Sequence, residues 1–190
     1  MAIRTRSVDS TSWDDVTEVF GPSGGSAGCW CTFWRLTNQE ANGKTPADNQ
    51  AVLEEVVRSG GQAGVLAYQD GKPVGWCSVA PRTVYKRVFR TKGLEPADPE
   101  DAGVWSVVCV YVKKESRGAG VAGNLLEAAV KHARAQGATV IEGYPIAGTN
   151  PKKKSVLSAG TIDLFTKAGF SVYREPSTGS RVIMRRKLKG

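Results

Sequence analysis

ESRGAGVAGNLL, residues 115–126, is the stretch on which the reading of the chain turns. Gly118, Gly120 and Gly123 carry no side chains that would keep a ligand away from backbone N–H groups. The helix that follows points its positive dipole end the same way, so an anion is the natural guest. The same letters spell GxGxxG, the dinucleotide fingerprint, and they also suit a turn that merely feeds a helix.

The flanks say what kind of unit holds this turn. VWSVVCVYV (104–112) is apolar apart from Ser106 and reads as a buried central strand. After the turn, Leu125, Leu126, Ala129, Val130 and Ala133 share one face of a helix expected to run to about Gln136. GATVIEGYP then supplies a further strand ending at Pro145, so strand, helix and strand form a parallel unit. Upstream, AIRTRSV predicts a first short strand, and Ser12 with Asp15 an S-x-x-D capping box for a helix to Phe20. A second helix is predicted from Pro46 to the stop at Gly60 and Gly61, and Asp70-Gly71 predicts a tight hairpin between QAGVLAYQ and KPVGWCSVA.

Downstream, residues 146–158 read as a long loop, TIDLFTKAG as a short helix, and FSVYREP and SRVIMRRKL as a last pair of strands. The expected fold class is α/β, with a mixed sheet and one domain over residues 1–190. The apolar stretch GCWCTFWRL fits neither a helix nor a strand pattern cleanly.

Composition narrows the function classes. The hydrophobic share of 41% and the charged share of 23% are those of an ordinary globular protein. No run reaches the roughly 18 apolar residues of a membrane span, and MAIRTRSVDS lacks a signal-type apolar segment, so a cytoplasmic location is expected. Cys29, Cys31, Cys77 and Cys109 lack paired metal spacing, and reduced cytosolic thiols explain them, so no metal is expected. His132 is the one histidine and lies in a helical stretch, which disfavours a Ser-His or Cys-His hydrolase. The net charge of +8 admits nucleic acid, an acidic partner or a polyanionic cofactor. Much of it sits in PKKKS (151–155) and RRKLK (185–189), without the alternating aromatics that base stacking uses, so nucleic acid is disfavoured.

The dinucleotide reading gains from Glu142, 19 residues past Gly123, where a ribose-binding acid would stand. It loses because KKESR separates Val112 from Gly118, and because too little chain follows for further parallel units. A Walker loop fails for want of Gly-Lys-Ser/Thr. RGAGVA, Arg117 to Ala122, resembles instead the Q/R-x-x-G-x-G/A signature of the GNAT superfamily of acetyl-coenzyme A-dependent N-acetyltransferases. LFTKAGF resembles that family's Y-E-K-L-G-F segment, and the GCWC and EGYP segments resemble a small bacterial subset of it.

The resemblance implies a GNAT fold, a central mixed and mostly antiparallel sheet flanked by helices, and acetyl-coenzyme A as co-substrate. It places the cofactor's diphosphate against Arg117, Gly118, Ala119, Gly120, Val121, Ala122 and Gly123, and its pantetheine arm along Val110, Tyr111 and Val112. Ser158 and Phe165 stand where the family often has its asparagine and tyrosine, and Phe165 cannot donate a proton. Glu142 is then a candidate base, with a carboxylate salt-bridged to a nearby cation as the competing reading, and Tyr144 a candidate acid. Trp30, Phe33, Trp34 and Arg35 are candidates for the acceptor pocket, and a core role is equally open to them. The implied function is acetylation of a primary amine on a small molecule, a metabolite or an aminoglycoside-type antibiotic. A protein acetyltransferase and a non-catalytic acetyl-coenzyme A sensor or nucleic-acid-binding module are the alternatives. A homodimer is a family habit that no edge in this sequence argues for.

Overall fold

A computed structural model describes residues 2–147, 159–176 and 180–188. Seven strands form one sheet: β1 (Ile3–Ser7), β2 (Val65–Gln69), β3 (Lys72–Pro81), β4 (Val104–Val112), β5 (Val140–Gly143), β6 (Ser171–Arg174) and β7 (Ile183–Lys187). Their order is β1-β2-β3-β4-β5-β7-β6, and every neighbouring pair is antiparallel except β4 with β5. The helices are α1 (Trp13–Phe20), α2 (Asn38–Ala41), α3 (Pro46–Arg58), α4 (Val121–Ala135) and α5 (Ile162–Lys167). The short α2 is an addition to the expected order.

Local chemistry explains most boundaries. Asp70 and Gly71 both have positive φ, as the two-residue turn between β2 and β3 demands. Thr45 caps α3 by accepting from the Asp48 N–H, while the Asp48 carboxylate accepts from the Thr45 N–H, and Pro46 fills the first helical position. The capping box expected at Ser12 does not form. Ser12 Oγ donates instead to Asp9 Oδ1 at 2.9 Å and accepts from Arg6, so α1 starts without a side-chain cap. The pull of the Asp9 turn outcompetes the cap, since Asp9 also accepts from Thr11.

Three apolar clusters hold the layers together. On one face of the sheet α4 lays Leu125, Leu126, Ala129, Val130 and Ala133 against Val65, Ala67, Val79 and Val107. Each fully buried leucine of this kind contributes about 1.5–3 kcal/mol. On the other face, α1 and α3 cover β1 to β3 through Val16, Phe20, Leu53 and Trp76. Further along that face, Tyr85, Val88 and Leu94, from two 3-10 turns and the segment after them, cover β4 and β5 around Val108 and Tyr144.

Candidate functional site

The parallel ladder between β4 and β5 runs from Val104 opposite Val140 to Val107 opposite Gly143 and stops there. Pro145 has no N–H to extend it, and β4 continues for five more residues with β3 as its one partner among the described residues. A bulge at Val108, between the pairs Val79–Val107 and Ser78–Cys109, shifts β4 at the same level. The two strands therefore part, and Val110, Tyr111 and Val112 present a strand edge to a cleft.

Gly143 and Phe165 fix how wide the parting is. A Cβ on Gly143 would collide with the Phe165 ring, so the ring sits directly on the strand end, where it packs edge-on to Phe170. Phe165, expected at the cofactor, lies in the core and anchors α5 there. The cleft-facing residues of this region are Thr161, Asp163, Leu164, Lys167 and Ala168.

Between these walls lies a cavity of about 940 Å³, closed at one end by the glycine turn. Gly118 and Gly120 take φ of 82° and 80°, so the chain turns left-handed twice before α4 begins. Side chains added at Gly118 or Gly123 would meet no protein atom within 4 Å. These glycines are thus spared for space in the cleft rather than for packing. Gly120 starts α4 with no side-chain cap, which leaves first-turn N–H groups aimed into that space. Arg117 Nε donates to Val112 O at 3.1 Å and ties the turn to the last residue of β4. Lys114, Arg117 and Lys167 put positive charge on the wall, with Lys167 already paired to Asp163 at 2.8 Å. Of the stretch Arg117–Gly123 only Ala119 lies off the wall. Ser158 lies outside the described residues, as do PKKKS and most of the 146–158 loop.

Sequence reasoning did not name Ser26, Lys114, Ser116, Gly160 or Thr161, which also line the cleft. Lys114 and Ser116 belong to the polar KKESR run, where a cation and a hydroxyl next to a glycine turn are a local signal for an anion. Ser26 carries no local signal.

Glu142 lies on the far side of β5 from this cleft and does not reach its wall. It is 3% exposed and accepts from Arg185 Nε at 2.6 Å, from Arg82 at 3.4 Å and from the Tyr144 hydroxyl at 2.8 Å. Asp98 bridges the same two arginines from outside. Tyr144 is also hydrogen-bonded to Ser106 Oγ at 2.7 Å. Burial, reinforced by the adjacent Glu142 carboxylate, pushes the Tyr144 phenol well above the usual tyrosine range.

The aromatic loop is divided. Trp30 is buried between Trp13 and Phe20, and Arg35 donates to the carbonyls of Gln62 and Ala63 beneath the Tyr85 ring. Both serve the core. Trp34 packs near Tyr144 and under Arg181, while Phe33 is 48% exposed beneath Arg87. Trp34 is thus also a core residue, in the cluster of Tyr85 and Tyr144, and of the four only Phe33 lies on the surface. No group of metal-ligating side chains occurs among the described residues.

Comparison with known proteins bears on this geometry. Residues 30–153 match the acetyltransferase (GNAT) family. No functionally curated protein sequence matches the chain. Among solved structures it is similar to a PaiA N-acetyltransferase from Thermoplasma acidophilum in complex with coenzyme A, at 15% identity and a TM-score of 0.55, over 99% of this chain and 100% of that one. It is similar to a putative phosphinothricin N-acetyltransferase at 17% identity and a TM-score of 0.57, over 100% of both chains. It is also similar to a ribosomal-protein-alanine N-acetyltransferase from Brucella melitensis at 16% identity and a TM-score of 0.55, over 97% of this chain and 99% of that one. At these identities the structures share a fold, and the family match covers more than half of the sequence. With its parted central strands, its glycine turn and that match, the chain belongs to the GNAT family of acetyltransferases.

Proposed function

We propose that the protein transfers the acetyl group of acetyl-coenzyme A to a primary amine on a small molecule. The observation that carries this is the turn at 118–123, whose glycines leave open space in a cleft bordered by the free edge of β4. The N–H groups from Gly118 to Gly123 fit a diphosphate, and a partnerless strand edge at Val110–Val112 fits an extended amide-bearing arm. Lys114 and Arg117 add charge for the remaining phosphate. When bound, acetyl-coenzyme A would supply the activated acetyl group.

The chain's own contribution is placement. The edge of β4 holds the arm straight, and the bulge at Val108 frees backbone near the point where the strands part. Glu142 suits a structural role better than that of a base, because its carboxylate is already committed to two guanidiniums and a phenol. The raised affinity of Tyr144 for its proton suits a donor of a hydrogen bond rather than an acid that gives the proton away. Rate enhancement by proximity, with water carrying protons, fits a cleft wall whose hydroxyls are those of Ser26, Tyr111, Ser116 and Thr161.

A small acceptor fits the covering of the sheet face opposite α4, where the 21–37 and 82–98 segments pack down on Tyr144 and Val108. Thiol release from acetyl-coenzyme A, followed over a panel of small amines and short peptides, tests the reading. Release on a small amine is expected. Release confined to peptides would replace the small-molecule acceptor by a protein, and none on any acceptor would favour a sensor.

A further inference from the structure

We infer, on the acetyl-transfer reading, that the acceptor amine carries a carboxylate and that Arg181 holds it where β4 and β5 part. The Arg181 guanidinium lies over the Trp34 ring, 5.1 Å from its centroid, and donates from Nη1 to Tyr144 O at 2.8 Å. Tyr144 directly follows Gly143, the last residue that β5 pairs with β4. Trp34 and Tyr144 belong to the apolar cluster on the face opposite α4, so this cation stands across the parted strands from the cofactor cleft.

A second arginine is held in the same way beside it. Phe33 and Trp34 are consecutive, with ring centroids 5.2 Å apart. The Arg87 guanidinium lies over Phe33 at 4.0 Å, and its Nε donates to Leu36 O at 3.1 Å. Neither guanidinium has a side-chain carboxylate within ion-pair distance among the described residues. Residues 1, 148–158, 177–179 and 189–190 contain no aspartate or glutamate that could supply one. Two cations thus gather on neighbouring rings with no side-chain acid of the chain to balance them.

Arg82 and Arg185 show the contrast. They too are withdrawn from water, and there the chain supplies Glu142 and Asp98, so that two carboxylates meet two cations. Arg181 is part-buried and receives none. Burial accordingly holds its guanidinium below the usual arginine range. A guanidinium taken out of water without a counter-charge is unfavourable, and an anion docked on it offsets the loss of hydration. The Trp34 ring and the Tyr144 carbonyl fix its orientation, while the rest of its planar fork has no hydrogen-bond partner among the described residues. That fork matches the two oxygens of a carboxylate.

The acceptor so selected is a small amino acid rather than a polyamine. With its carboxylate on Arg181, its amine a few bonds away is free to face the gap between the strands. Phe33, 48% exposed, offers apolar surface for its side chain. Arg87 strengthens the field felt by the same negative charge. A polycationic acceptor would instead meet two arginines that lack counter-charges.

Binding, which needs no turnover, is measured first. The full chain with saturating coenzyme A is titrated calorimetrically with the protein amino acids and with the corresponding amino acid amides. At least one acid should bind about tenfold more tightly than its amide. Arg181→Gln should remove that preference and leave the affinity for coenzyme A unchanged, whereas Arg181→Lys, which keeps the charge, should retain part of it. Acids and amides that bind alike, no binding of any amino acid, a preference that survives Arg181→Gln, or loss of coenzyme A affinity in both variants would each overturn the inference. Thiol release from acetyl-coenzyme A on the preferred acid then ties the site to acetyl transfer. A bound acid that is never acetylated would contradict the transfer reading and leave the carboxylate site standing.

Discussion

Gly123 separates ligand binding from folding more cleanly than any other position in the cleft. It is the third residue of α4, has ordinary helical φ, and meets no protein atom where a Cβ would stand. Glutamate there replaces a poor helix former and adds a favourable charge to the first turn, which together stabilise by about 0.5–1 kcal/mol. The same carboxylate would face the proposed diphosphate. Gly123→Glu should raise or preserve the melting temperature while weakening acetyl-coenzyme A at least tenfold. A variant that binds normally would remove the turn from the site.

Glu142 allows the opposite separation. Replacing it by glutamine keeps the shape and strips the counter-charge from buried Arg82 and from Arg185. Breaking such a pair costs about 3–5 kcal/mol, and the lower end is expected because Asp98 still serves both arginines. Glu142→Gln should therefore lose about 3 kcal/mol in denaturant titrations, with turnover per folded molecule changed less than tenfold. Full stability with a tenfold slower rate would restore Glu142 as the base.

Among the elements, α2 and its tether set an acid-sensitive contact. Glu40 closes the α2 capping box with Thr37 and pairs with Lys86 of the 82–98 segment. The Lys86 ammonium first, then the Thr37 backbone N–H and hydroxyl, hold its carboxyl down from 4.5 to about 2. A carboxyl lowered on folding contributes stability that is complete above 4.5 and is lost as pH falls through 2. Glu40→Gln should flatten the loss of stability across that window and remove the same contribution at pH 7, a small one because the pair is exposed, as denaturant titrations at pH 7 and pH 3 would show.

The elements also show what the sequence could and could not disclose. The β4 run, the Asp70-Gly71 hairpin, the start of α3 at Pro46 and the glycine turn were legible because each is set by neighbours along the chain. The loop at Cys29–Arg35 was not, because its left-handed residues are held by Trp13, Phe20 and Trp76 from other elements. Phe165 misled for the same reason. Its place depends on a missing side chain at Gly143, 22 positions earlier by the numbering. Of the site, the glycine turn and the β4 edge could be read ahead, while the arginines that neutralise Glu142 come from β7 and from the turn after β3.

At the scale of the whole molecule, a net charge of +8 suits a polyanionic co-substrate and opposes a polycationic acceptor at long range. The cleft brings α4, α5 and the edge of β4 together, and its wall carries Lys114, Arg117 and Lys167 alongside the carboxylates of Glu127 and Asp163. No helix among the described residues is long and apolar enough to cross a membrane. The most direct test of the central claim is calorimetric titration of the protein with acetyl-coenzyme A, using NAD as the control ligand and Gly123→Glu as the control protein. Saturable binding of acetyl-coenzyme A at one site per chain, weakened by the substitution and absent with NAD, is the predicted result. Preference for NAD, or no binding of acetyl-coenzyme A at all, would contradict the assignment of the cleft.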